Sequence, residues 1–376
     1  MREGWQKASL GSLCKIYQPK TLTLKELDPN GGYDVFGANG IIGKHSQYNH
    51  TDIELLMGCR GSCGALNFST RNSWINGNAM VIHPINDIVS KQYLKYFLES
   101  VDRRLIVSGT TIPQITAKSL APLMVVFPSS NEQQRIVDVL DQEFAKIDAL
   151  KANAEKSHQA AKDLFQATLK DALNCKSMET TSLLSLCQSI VDCPHSTPIK
   201  CSEKTNYPCI RTSELKDGKI SWATMQYVSE TEYKKRITRL QPQAGDIVYG
   251  REGTIGDAVL LPSGYHFCLG QRTMLFRPNL SLVEPDYLLY CILSPFVYNQ
   301  AMSKNTGCGV AHVNVADVKQ FRIPIPKRNE EQRRIVSRLN GLNEKCDTLQ
   351  DNYQKTLTLC DYLKQSLLRK AFSGEL

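Results

Sequence analysis

The sequence has few of the signatures of a reaction centre. No G-x-G-x-x-G leads from a strand into a helix, and neither G-x-S-x-G nor H-E-x-x-H occurs. Gly43-Lys44 fails as a phosphate loop, because Ala38 stands where a glycine is required and His45 where Ser or Thr is. The Asn/Asp-Pro-Pro-aromatic tetrapeptide of amino-methyltransferases is also missing. These absences argue against a nucleotide hydrolase, a serine or zinc hydrolase and a methylase. No apolar run approaches the roughly 18 residues of a membrane span, and the beginning, MREGWQKASLGSL, has no signal-peptide core. The thirteen cysteines form no C-x-x-C clip. Cys187, Cys193, His195, Cys201 and Cys209 are the densest set of metal-ligand types, but their spacing argues for ordinary thiols and no metal. An odd number of scattered cysteines fits reduced thiols and a cytoplasmic location.

Proline and glycine are absent from Asn131–Leu173. Asn131 suits an N-cap, with Gln134 three residues on. A second copy occupies Asn329–Phe372, at a constant offset of 199 from Ile136 and Ile335 onward. Alternating steps of four and three select Ile136, Leu140, Ile147, Leu150 and Leu164, and in the second copy Ile335, Leu339, Leu342, Leu349, Leu363 and Leu367. A mean step of 3.5 predicts a coiled-coil seam. Each helix would be on the order of 60 Å long at 1.5 Å per residue.

The segments before the helices repeat as well. Glu54–Gly64 matches Asp246–Gly256, Tyr93–Tyr96 matches Tyr287–Tyr290, and Val125–Pro128 matches Ile323–Pro326. Tyr33–Phe36, Glu54–Met57, Ala79–Ile82 and Leu123–Phe127 read as strands, and Lys91–Leu98 as a helix. Cys209–Arg211, Asp246–Tyr249, Met274–Phe276 and Phe321–Ile325 are strand candidates in the second half, and Pro285–Leu293 a helix. The expected fold is mixed α+β: two globular α/β domains, 1–130 and 175–328, separated by two long antiparallel coiled-coil helices, 131–174 and 329–376. The tandem duplication predicts an internal pseudo-twofold.

The net charge of +8 is unevenly spread. Residues 1–130 carry 13 basic and 9 acidic side chains and 180–328 carry 17 and 12, against 7 and 9 in 131–179 and 8 and 7 in 329–376. A basic surplus in the globular parts suits a polyanion such as nucleic acid. Both halves carry a G-x-x-G-[ST]-x-G turn, which reads either as a glycine-rich exit from a strand or as a loop that lets backbone approach DNA. It carries Arg60 in one half and Arg251 in the other, and an arginine fork suits guanine edges or phosphates. Asn39, Lys44, Thr111, Gln114, Arg211, Gln271, Arg272, His312 and Asn314 complete the set of candidate DNA contacts, although each taken alone reads first as a solvated loop residue.

Four features give the chain a family likeness. A strand-end proline precedes a glutamate–glutamine helix start in Pro128…Glu132-Gln133-Gln134-Arg135-Ile136-Val137 and in Pro326…Glu331-Gln332-Arg333-Arg334-Ile335-Val336. The chain ends Leu367-Leu368-Arg369-Lys370-Ala371-Phe372-Ser373-Gly374-Glu375-Leu376. The first half has Ala38-Asn39-Gly40-Ile41-Ile42-Gly43 with Arg60-Gly61-Ser62-Cys63-Gly64. The second has Asp192-Cys193-Pro194-His195-Ser196-Thr197-Pro198 and Gly245-Asp246-Ile247-Val248…Gly253…Ile255-Gly256. On these motifs the whole chain resembles the specificity subunit of a type I restriction-modification system. The resemblance implies a non-catalytic chain whose two target-recognition domains each read half of a split double-stranded DNA site, with the helices setting the spacer. It also implies docking of two methyltransferase subunits that carry S-adenosylmethionine, and it admits restriction subunits in the same assembly. An interaction scaffold with protein-binding ends is the alternative, which the basic surplus disfavours.

Overall fold

The computed structural model describes residues 4–109, 113–173, 178–304, 311–326 and 328–376. It is a mixed α and β chain in two compact units, Met1–Glu155 with Tyr353–Leu376, and Lys156–Asn352. These limits fall inside the long helices rather than at 130 and 328, because each globular segment buries apolar residues from both. The first core takes in Ile136, Val137 and Leu140 together with Leu368 and Ala371. The second takes in Ile335 and Leu339 together with Leu169, Ala172 and Leu173.

Within the first unit, the central antiparallel sheet has the order Cys14–Tyr17, Ala79–Pro84, Leu55–Gly58, Leu66–Phe68. Strand Leu55–Gly58 is buried on both faces, and its period of two divides its side chains. Leu55 and Met57 face the helical layer, while Leu56 joins Phe36, Ile75, Ala79 and Val81 in a smaller core. That smaller core lies under a second sheet, in which Tyr33–Gly37 pairs antiparallel with Gly40–His45 and parallel with Trp74–Ile75. Gln6–Ser9 pairs with Met124–Phe127 just before the first long helix.

The second unit repeats this order. Cys187–Asp192, Thr273–Pro278, Ile247–Gly250 and Ala258–Leu260 form its central sheet. Pro208–Ile210 pairs antiparallel with Gln226–Tyr227 and parallel with Cys268–Leu269. Glu179–Ser182 pairs with Arg322–Ile325. An extra hairpin, Leu215–Lys216 with Lys219–Ile220, and helices Glu230–Arg236 and Pro295–Ser303 are added.

The glutamate–glutamine motif has a structural task. The long helices run Ser130–Leu173 and Asn329–Ser373. Gln133 is buried in the first turn of one of them; its Oε1 accepts from Ser90 N at 3.0 Å and its Nε2 donates to Ile88 O at 2.7 Å and Pro128 O at 3.0 Å. Gln332 repeats the arrangement on Glu284 N at 2.9 Å and Leu282 O at 3.1 Å. Each glutamine thus satisfies a backbone donor at the start of the neighbouring helix, Lys91–Ser100 or Pro285–Leu293. Further along, Tyr96 donates to Asp141, and Tyr290 to Asn340 at 2.6 Å. The expected cap is displaced: Asn131 lies inside the first turn, and Gln134 donates forward to Asp138 at 2.8 Å instead of reaching back. Gln332→Leu is expected to leave the Glu284 N–H and the Leu282 C=O without their part-buried hydrogen bonds, at about 1–3 kcal/mol in all. A urea midpoint equal to that of the unsubstituted chain would remove the glutamine from the account.

Within each unit the helix segments pair antiparallel. In the first, Lys151 Nζ meets Asp361 Oδ1 at 2.6 Å, and Lys364 Nζ meets Asp148 Oδ1 at 2.7 Å. In the second, Cys346 Sγ donates to Ala161 O at 3.4 Å, while Leu339 shares its core with Leu169 and Leu173. Ile136, Leu140, Ile147, Ile335 and Leu339 are buried, and Leu342 and Leu367 half-buried. Four expected seam leucines are not on the covered face: Leu150 and Leu164 are 54% and 56% exposed, and Leu349 and Leu363 are 39% and 47% exposed. The covered positions lie one residue on, at Lys151 and Phe165 in one helix and Gln350 and Lys364 in the other. Lysine stems lie along the seam while their ammonium groups reach carboxylates, and Lys364 Nζ also sits 5.1 Å from the Phe144 ring centre.

Candidate nucleic-acid interface

In the first unit, strand Leu55–Gly58 ends in the turn Cys59–Gly64. Gly61 and Gly64 hold φ of +76° and +82°, which favours glycine. Gly58 is required for close approach, since a Cβ there would lie 2.3 Å from the carbonyl oxygens of both Ala38 and Ser62. The missing side chain therefore seats the Ala38-Asn39 hairpin turn against the glycine turn. Arg60 forms an antiparallel bridge with Gln114, and Ile115 N donates to Cys59 O at 3.0 Å. Asn39, Arg60 and Gln114, from three separate segments, are thus brought to one edge, and all three are exposed. Lys44 is exposed farther along strand Gly40–His45, opposite Asp34. Thr111 lies outside the described residues.

The second unit builds the same turn with different chemistry. Gly253 and Gly256 have φ of +80° and +95°, Glu252 bridges His312, and Val313 N donates to Arg251 O at 3.0 Å. Pairing Gly58 with Gly250 sets Cys59 opposite Arg251 and Arg60 opposite Glu252. The two turn arginines are therefore not equivalent. Arg251 is 6% exposed; its Nε and Nη2 donate to Asp192 Oδ1 and Oδ2 at 3.0 and 3.2 Å, and its Nη1 lies 3.3 Å from His312 Nδ1. The fork of Arg251 is thus occupied within its own unit, whereas Arg60 is exposed. Arg211 is similarly occupied, by the buried Glu214 at 2.7 Å and by Thr224 O at 3.2 Å.

Asp192 begins the loop Asp192–Pro198, which two arginines hold by its carbonyls. Arg239 Nη1 donates to Asp192 O and Cys193 O at 3.0 and 3.1 Å. The buried Arg236 donates to Ser196 O at 3.1 Å and Leu269 O at 2.7 Å. Gln271 Nε2 joins at His195 O, 2.9 Å. Arg272 and Asn314 are exposed, and Asn314 sits at the start of the short helix Val315–Lys319. Sequence reasoning missed Glu252 and the anchoring part of Asp192; the aligned turns contained the signal for Glu252.

Among the described cysteines, Cys14, Cys59, Cys193, Cys209, Cys268, Cys291 and Cys360 are buried. Burial pushes the Cys14 and Cys187 thiols up to about 12 and raises that of Cys59. Cys63 Sγ donates to Cys59 O and Pro113 O at 3.3 and 3.0 Å. Among the described residues no three His, Cys, Asp or Glu side chains gather as a metal site.

Two repeated α/β units that present strand-end glycine turns beside paired helical segments define a protein built to hold two similar faces. The family model described as "Type I restriction modification DNA specificity domain" matches residues 2–156 and 196–359. The chain belongs to this family, the DNA specificity subunits of type I restriction-modification systems. The EcoDI specificity subunit of Escherichia coli is 24% identical over 408 residues, covering 99% of this chain and 88% of that one. The EcoKI specificity subunit of Escherichia coli (strain K12) is 26% identical over 386 residues, covering 96% and 78%. A solved chain described under "complex assembly and conformational transition of the type I R-M system" superposes with a TM-score of 0.75 at 18% identity, covering 100% of this chain and 99% of that one. At that identity the likeness is one of fold alone.

Proposed function

We propose that each unit reads one half of a bipartite DNA site through its glycine-turn face, that the helices set the spacer, and that two methyltransferase subunits dock on the chain. In this reading the chain is non-catalytic. S-adenosylmethionine and methyl transfer belong to the partners, the assembly leaves room for restriction subunits, and the location is cytoplasmic. Among the described residues no helix is long and apolar enough to cross a membrane.

The observation that carries the reading is the edge in the first unit where Arg60 stands exposed beside Asn39 and Gln114; the backbone of this turn recurs in the second unit with Glu252 and His312 at the bridge. Exposed donors on backbone that can approach closely suit base edges in a groove. Arg60→Ala, assayed with the methyltransferase partner by competition binding and by mapping methylated adenines, is expected to relax one position of one half-site. The expected loss is about 1–3 kcal/mol. Unchanged affinity and an unchanged methylation motif would take the glycine turn out of the interface.

A further inference from the structure

The matched turns carry opposite charge at one position, Arg60 in the first unit and Glu252 in the second. The second unit has moved its cation to the adjoining turn. Arg251 N donates to Arg272 O at 3.1 Å, as Cys59 N donates to Asn78 O at 2.9 Å, so Arg272 occupies the place of Asn78. Glu252 Oε1 lies 3.1 Å from Arg272 Nε, and its Oε2 lies 3.6 Å from His312 Nδ1. The Arg272 side chain is 52% exposed, with Glu252 as its ion-pair partner.

The backbone at Arg272 is unusual. Its φ is +68°; the other non-glycine residues with positive φ among those described are Asn72 and Asp217. Asn and Asp visit this region with the help of a short polar side chain, which arginine lacks. Asn78, at the matching place, does not have positive φ. A strained residue kept at an exposed edge is a mark of function rather than of packing.

We infer that Arg272 reads a guanine in the second unit's half-site and that Glu252 is its positioning residue. This deepens the proposed function and rests on it. The Glu252 carboxylate lies at the Nε edge of the guanidinium as an ion pair at 3.1 Å, which favours turning the terminal nitrogens toward guanine O6 and N7. Holding the side chain before binding reduces the rotamer freedom lost on contact. The Glu–Arg pair is neutral as a unit, so it adds discrimination among bases while contributing little to general attraction for phosphate.

The test uses the full chain with its methyltransferase partner. Arg272→Gly suits the left-handed backbone, so its melting temperature is expected to match or exceed that of the parent chain. It should lower discrimination at a single G·C pair of one half-site by roughly 5- to 150-fold, leaving the salt dependence of binding nearly unchanged. Arg272→Lys, which keeps the charge but loses the fork, should behave in the same way. Glu252→Gln should weaken discrimination at that same pair by a smaller factor. If the parent complex marks no bipartite motif, the underlying reading fails. If it marks one and Arg272→Gly keeps full discrimination, this inference alone is overturned. Uniform weakening with a salt slope shallower by about one would make Arg272 a phosphate contact and also overturn it. Loss with Arg272→Gly but none with Glu252→Gln would remove the positioning role.

Discussion

Replacing Arg251 by methionine is expected to destabilise the second unit by about 3–5 kcal/mol, the range for breaking one side of a buried ion pair. Both oxygens of Asp192 accept from this guanidinium, at 3.0 and 3.2 Å, and the side chains of both partners are mostly buried. Removing the cation leaves the mostly buried Asp192 carboxylate with the exposed His195 at 3.5 Å as its remaining neighbour, at the head of the loop Asp192–Pro198. Urea denaturation of the full chain measures the loss. Replacing both partners by apolar residues, Asp192→Leu with Arg251→Met, should recover much of it, because a well-packed apolar pair avoids the desolvation penalty altogether. A single substitution that shifts stability by less than 1 kcal/mol would mean that the pair is solvated and Arg251 free to reach DNA. Loss of DNA binding in an Arg251 variant therefore has to be read beside its stability.

The difference between Arg60 and Arg251 shows how far the sequence carried. The duplication itself could be read from it, because matched glycines and apolar runs recur in order, and both units follow the same strand order as a result. The family followed from short motifs, one of which, the buried glutamine of the helix start, has a plain packing reason: it satisfies the backbone of the next helix. Side-chain partnerships were not accessible. Asp192 lies 59 residues before Arg251, and nothing local marks the two as partners. A lone arginine in a glycine turn looks the same whether its fork is free or occupied. The long helices failed at a different point. Alternating steps of four and three were fixed by the largest apolar residues, and Leu150 and Leu164 drew the pattern one residue off. The covered face there runs through the stem of Lys151, Ala154, His158 and Ala161 to Phe165, mostly small or polar side chains that carry little periodic signal. Where large apolar residues meet a domain, as at Ile136–Leu140 and Ile335–Leu339, they are buried.

That weak middle leads to the other large effect. Adding four residues after Ala154 is expected to lengthen the spacer of the DNA target by one or two base pairs, with both half-sites unchanged in sequence. Four residues add one turn and a rotation of about 40°, extending the helix by roughly 6 Å, against about 3.4 Å of rise per base pair. The insertion falls next to Glu155, where the first unit's share of the helix ends. Lys151–Asp361 and Lys364–Asp148 lie on one side of it and Cys346–Ala161 on the other; the second helix is not lengthened, so the two need not extend together and the unpaired turn is taken up near one domain. The phase change is borne by Ala154, His158 and Ala161, none of them fully buried, rather than by the tightly packed ends around Leu140 and Leu169. An insertion among Ile136–Ile147 would instead turn a buried face outward and should unfold the first unit. Methylation mapping in cells that carry the Ala154 insertion with its methyltransferase distinguishes the outcomes. An active variant with the original spacer would show that the helices do not set it. A changed half-site would show that base reading depends on the helices, because the inserted turn leaves Arg60, Asn39 and Gln114 in their own unit untouched.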